Sequence, residues 1–168
     1  MKTLPEVFIY LAIMVISMQF AAARDVTERK QAELALKKAS LYTRSLIEAS
    51  LDPLVTISRE GKITDVNEAT EKVTGVPRQR LIGTDFSDYF TQPEMARSGY
   101  RQVFADGSVT DYPLALRHAS GKLTEVLYNA SVFKSEAGEV EGVFAAARDV
   151  TERKRAEDEV RKLNEGKV

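Results

Sequence analysis

Residues 51–83 read LDPLVTISREGKITDVNEATEKVTGVPRQRLIG, and the order of elements in this stretch decides the fold. Leu54, Val55 and Ile57 lead into Gly61, and Ile63 and Val66 follow, which predicts two short strands joined by a tight glycine turn. At Asn67 the period changes. Ala69, Val73 and the closing Gly75 suit one short helix, with Asn67 placed as an N-cap that accepts the free N–H groups of its first turn. Pro77 suits the first turn of a second short helix that stops at Gly83, and Asp85 can cap a third that reaches Tyr89 or Phe90.

Downstream, Pro93 opens a longer helix whose Met95, Gly99, Tyr100, Val103 and Phe104 share a core-facing side, and Asp106-Gly107 ends it. Three strands follow over 109–117, 123–133 and 140–150, separated by turns at Ser120-Gly121 and Glu136-Ala137-Gly138. With the first hairpin they make five antiparallel strands, an α+β arrangement. Val126, Leu127 and Tyr128 are consecutive, which interrupts the alternation and predicts a sheet partly covered on both faces, with one helix on the outer face.

Composition narrows the chemistry. A chain of 168 residues holds one domain plus flanking helices, large enough to bury a core without covalent staples. Lys and Arg (24) nearly balance Asp and Glu (25), so no net field draws in nucleic acid, and none is expected as a partner. The absence of Cys excludes disulfides, zinc–thiolate sites and thiol nucleophiles. His118 stands alone beside a turn with no nucleophile context, and Asp85 with Asp88, or Glu157 with Asp158 and Glu159, read as caps and solvated helix faces rather than acid–base pairs or metal ligands. No phosphate-cradling glycine loop occurs, and neither a catalytic nor a metal site is expected. Asn129-Ala130-Ser131 has the pattern of a glycosylation sequon, but on an inner strand it reads as structural.

Upstream, Val7–Ala23 carries no charge. At 1.5 Å per residue it would extend about 25 Å, marginal for a bilayer core. Three readings stay open: a transmembrane anchor with its C-terminal side in the cytoplasm, a cleaved signal peptide, or a remnant strand. The third comes from a repeat, because Ala21–Lys30, AAARDVTERK, is identical to Ala145–Lys154. Residues 24–50 predict a linker helix. Ala32, Leu36 and Ala39 on it, and Ala156, Val160 and Leu163 after Lys154, share a seam-like spacing that predicts a homodimer through coiled-coil helices.

The I-x-D-x-N-x-A run of Ile63–Ala69, the T-G of Thr74 and Gly75, the R-L-I-G of Arg80–Gly83 and the DVTERK of Asp149–Lys154 together resemble the PAS (S-box, PAC) sensor domain of two-component sensor proteins. The resemblance spans roughly residues 41–154. It implies a PAS-like sheet with short helices on one face, the PAS domain over 51–150 and a C-terminal output helix over 151–168, preceded by the apolar segment over 1–23 and the linker helix over 24–50. It further implies a cytoplasmic sensory and signal-transduction module that passes a small ligand's or partner's signal to a histidine kinase or another output protein, and not an enzyme by itself. The alternative is a dimerising scaffold with a filled core.

By the same resemblance, a ligand would sit between sheet and helices, with Tyr100, Phe104, Leu114, Leu116 and Asn129 as candidate lining residues. The cofactor stays open: flavin–cysteine photochemistry needs a Cys this chain lacks, and the histidine that holds haem in relatives has no counterpart on Pro93–Ala105. Asp149, Thr151 and Arg153 are the candidate signal-transfer residues. They sit where the last strand becomes the output helix, where carboxylate and hydroxyl can cap the helix and Arg153 can pair with Asp149.

Overall fold

The structure, a computed structural model, describes residues 4–165. The chain divides into two compact units, one ending at Leu46 and one beginning at Ile47. Helix α1, Leu4–Ala49, makes up the first and contributes its last turn to the second. A run rich in Ala, Leu, Glu and Lys with no Gly inside it explains why the helix does not break. Phe8–Phe20 therefore lies in helix, which removes the remnant-strand reading. Among the described residues no helix is long and apolar enough to cross a membrane, and the anchor reading of Val7–Ala23 is not supported.

In the second unit, β1 (Leu54–Ser58) and β2 (Ile63–Val66) form the hairpin, with Gly61 in the left-handed region at φ 79°. Helices α2 (Glu68–Thr74) and α3 (Arg78–Leu81), a single 3-10 turn (Phe86–Tyr89) and α4 (Pro93–Asp106) follow. Then come β3 (Ser108–Arg117), β4 (Leu123–Lys134) and β5 (Val140–Asp149), and α5 (Thr151–Glu165) ends the described chain. The sheet is five-stranded and antiparallel, ordered β2-β1-β5-β4-β3. First and last strands are thus neighbours, with Leu54 opposite Ala146 and Ser58 opposite Gly142.

One sheet face is the core. Ile57, Val126, Tyr128, Val143 and Ala145 point into it, and Leu81, Phe86, Phe90, Ala96, Tyr100 and Val103 close it from the helical side. Ala96 takes the buried place on α4 that the sequence assigned to Met95, whose side chain stays 38 % exposed. Along β4 the alternation is clean despite the Val126-Leu127-Tyr128 run, for Thr124, Val126, Tyr128 and Ala130 are buried. On the opposite face Phe133 and Phe144 remain 36 % and 38 % exposed, so the covering helix expected there does not bury these two side chains, and Ile47 borders a small depression with Leu54, Thr56 and Phe144.

Candidate functional site

Between the core face of the sheet and the short helices lies a cavity of about 40 Å³. Val55, Leu116, Tyr128 and Ala147 form its sheet side; Thr70, Val73 and Thr74 of α2, with Leu81, Phe86, Tyr89 and Phe90, form the other. The α2 wall is held by Asn67, 1 % exposed. Its Oδ1 accepts from the amides of Leu54 (2.9 Å) and Thr70 (3.1 Å), and its Nδ2 donates to the carbonyls of Asp52 (3.0 Å) and Ile47 (3.2 Å). One amide therefore joins the end of α1, the start of β1 and the first turn of α2. Gly75 closes α2 at φ 69°, and the His118 ring packs so close to it that a Cβ there would overlap the imidazole.

The polar groups of the cavity wall are spent on the protein, with one exception. The Thr70 hydroxyl reaches Leu54 O at 2.8 Å, that of Thr74 donates to Thr70 O at 2.7 Å, and those of Tyr89 and Thr84 pair at 2.9 Å. The Tyr128 hydroxyl, fully buried, has no partner among the described residues. Burial first, and the neighbouring Tyr100 second, push this phenol far above its usual range, so it is a neutral O–H. Tyr100 differs: its hydroxyl donates to Ser58 O, and burial pushes it up to about 12.

Of the residues predicted to line a pocket, Leu116 alone does so here. Tyr100 and Phe104 meet edge-to-face with ring centroids 5.0 Å apart, and Tyr100 borders an outer depression with Arg59, Arg97 and Arg101 instead. Leu114 borders an open groove of about 260 Å³ with Met95, Glu125 and Lys154. Asn129 lies on the opposite sheet face, where its Oδ1 accepts from Asp111 N at 2.9 Å across the β3 bulge. Strand parity is the reason: Tyr128 and Ala130 point inward, so Asn129 points out. The same parity, counted from Thr124 and Val126, would have found Tyr128.

At the strand-to-helix junction Asp149 Oδ1 accepts from Thr151 N at 2.8 Å, an Asx-type turn that starts α5. The Thr151 hydroxyl accepts from Glu125 N (3.0 Å), and Val150 N donates to Glu125 O (2.9 Å). Arg153 does not pair with Asp149; it lies 3.6 Å from Glu157, one helical turn on. Lys154 makes the ion pair with the sheet, 2.8 Å from Glu125 Oε2. His118 bonds only locally, to Ser120, and no group of three or more His, Cys, Asp or Glu converges among the described residues.

A family model described as the PAS fold matches residues 47–155. The chain belongs to the PAS fold family. It is 23 % identical over 140 residues to Sporulation kinase E of Bacillus subtilis (strain 168), a match covering 82 % of this chain and 18 % of that protein. The chain therefore spans about a fifth of the length of this curated relative. Among solved structures it is similar to the PAS domain of a protein from Colwellia psychrerythraea (19 % identity, TM-score 0.59, covering 70 % of this chain and 98 % of that one). It is also similar to a PAS domain from a two-component sensor histidine kinase (18 % identity, TM-score 0.58, covering 70 % and 98 %). At these identities the likeness to solved structures is one of fold.

Proposed function

We propose that residues 51–150 are a PAS-type sensory module that senses a small ligand or partner through the cavity and transmits the change through its flanking helices to an output domain or protein. One observation carries the reading: Tyr128, which lines the cavity, and Glu125, which holds Val150, Thr151 and Lys154, lie on the same strand. A shift of β4 at Tyr128 is felt within a few residues at the root of α5. The similarity to a sporulation kinase supports a kinase as the output. Leu36, Val160 and Leu163 are exposed on the two flanking helices, which supports dimerisation through them.

A second reading has its own observation. The cavity, about 40 Å³, is far below the roughly 300 Å³ at which ordinary ligand pockets begin, as a scaffold with a filled core would have it. One experiment separates the two. Ala147→Val adds volume to the cavity wall in the full-length chain, and amide exchange is followed along α5. Altered protection of Thr151–Glu165 supports the sensory reading; unchanged protection in a variant whose cavity side chains have demonstrably moved favours the scaffold. Native mass spectrometry reads the subunit number, and a monomer at micromolar concentration would remove dimerisation.

A further inference from the structure

We infer that the cavity selects a small, neutral, largely apolar molecule carrying one hydrogen-bond acceptor, and that Tyr128 is the residue that selects it. The inference deepens the sensory reading, since both use the same cavity.

The chemistry follows from what the wall offers. Among the described residues no Arg, Lys, His, Asp or Glu lines the cavity, so a charged occupant would leave water with nothing to replace its hydration. The hydroxyls of Thr70, Thr74 and Tyr89 already have partners in the protein, which leaves the buried Tyr128 O–H as the unmatched group of this wall among the described residues. An unpartnered buried hydroxyl is destabilising, and an acceptor in the cavity offsets that loss. The phenol is kept protonated by burial, so it has a proton to donate, and a carbonyl or ether oxygen accepts that proton without bringing a further donor that would need its own partner in this wall. Size sets the rest. A cavity needs about 10–15 Å³ to admit one water and roughly 150 Å³ to admit benzene, so about 40 Å³ suits a molecule of a few heavy atoms, and a flavin or haem is far too large.

The test uses two probes of nearly equal shape, 2-butanone and 2-methyl-1-butene, the second having a methylene group where the first has its carbonyl oxygen. Each is titrated into the full-length protein and its Tyr128→Phe variant, with the methyl resonances of Val73, Leu116 and Ala147 as the readout. The ketone-to-alkene affinity ratio, which cancels the different hydration of the probes between the two proteins, is expected to fall about tenfold in Tyr128→Phe. An unchanged ratio overturns the inference. So does exclusion of both probes with an ordered water on the Tyr128 hydroxyl. Tyr128-dependent binding of the ketone without any change in amide exchange along α5 upholds this inference and removes the signalling reading, so the two fail separately.

Discussion

Lys154 on α5 and Glu125 on β4 meet at 2.8 Å, and the backbone N–H and C=O of the same Glu125 hold Thr151 and Val150. The ion pair is half-exposed and its removal by Lys154→Ala is expected to cost under about 1 kcal/mol. Thr151→Val, which leaves the Glu125 amide without its acceptor, is expected to cost about 1–2 kcal/mol and to raise amide exchange at the start of α5. Urea denaturation and hydrogen exchange check both, and the reverse ranking would show that charge, not the backbone clasp, holds the helix.

Gly75 and His118 test a coupling. Gly75→Ala places a Cβ against the imidazole and a side chain at φ 69°, and is expected to lower stability by more than about 1 kcal/mol. In the double variant with His118→Ala the steric part disappears while the backbone part stays, so the two changes are expected to be non-additive by about 1 kcal/mol. Additive losses in a thermodynamic cycle would contradict the packing of the ring on the helix end.

Asn67→Asp keeps the acceptor toward Leu54 and Thr70 and loses the donor toward Ile47 and Asp52, turning a carboxylate toward carbonyl oxygens. It is expected to destabilise by about 3 kcal/mol or more, by the logic of an unpaired buried charge. Asn67→Ser, which retains only a cap, is expected to lose less. Denaturant midpoints order the two.

The two buried tyrosines separate hydrogen bonding from burial. Tyr100→Phe deletes the donor to Ser58 O and is expected to cost about 1 kcal/mol, whereas Tyr128→Phe removes a hydroxyl that has no partner and is expected to be neutral or stabilising. In the alkaline range the sign is fixed by linkage. The folded Tyr100 titrates at about 12 against a usual 10.0, so its contribution is complete below pH 10 and is lost as the pH rises through about 12. Denaturant midpoints from pH 9 to 12 are expected to fall less steeply in Tyr100→Phe than in the parent protein.

The acid side runs the other way. Burial raises the Asp85 carboxyl, but the Ser87 hydroxyl and amide, with Arg97 and Lys62 nearby, outweigh it and hold the group below its usual 3.8. Its contribution is present above pH 3.8 and lost as the pH falls through the lower folded value. Ser87→Ala, followed by NMR titration of the Asp85 carboxyl, is expected to move that value upward.

Local chemistry made much of the fold legible. Asn67, Gly75, Asp85 and Pro93 mark element ends through groups that act on their own backbone neighbours, and the strands announce themselves by turns at Gly61, Gly121 and Gly138. The candidate site was legible less well, because its residues are chosen by register. In Val126-Leu127-Tyr128 three apolar residues conceal which parity faces the core, and a slip of one residue exchanges Tyr128 for Asn129. Tyr100 turns to Ser58 and Lys154 to Glu125 through contacts between segments far apart in sequence, which no spacing along one helix reveals.

The pairing of Leu54 with Ala146 has a mechanical meaning. Because β1 enters and β5 leaves at the same end of an antiparallel pair, tension between the two flanking segments would act across the strands rather than along them. The pair would open like a zipper from Pro53 and Ala147, one hydrogen bond at a time, instead of resisting as a row loaded in shear. A domain so strung gives way first at the very junction where the chain passes from sheet into α5.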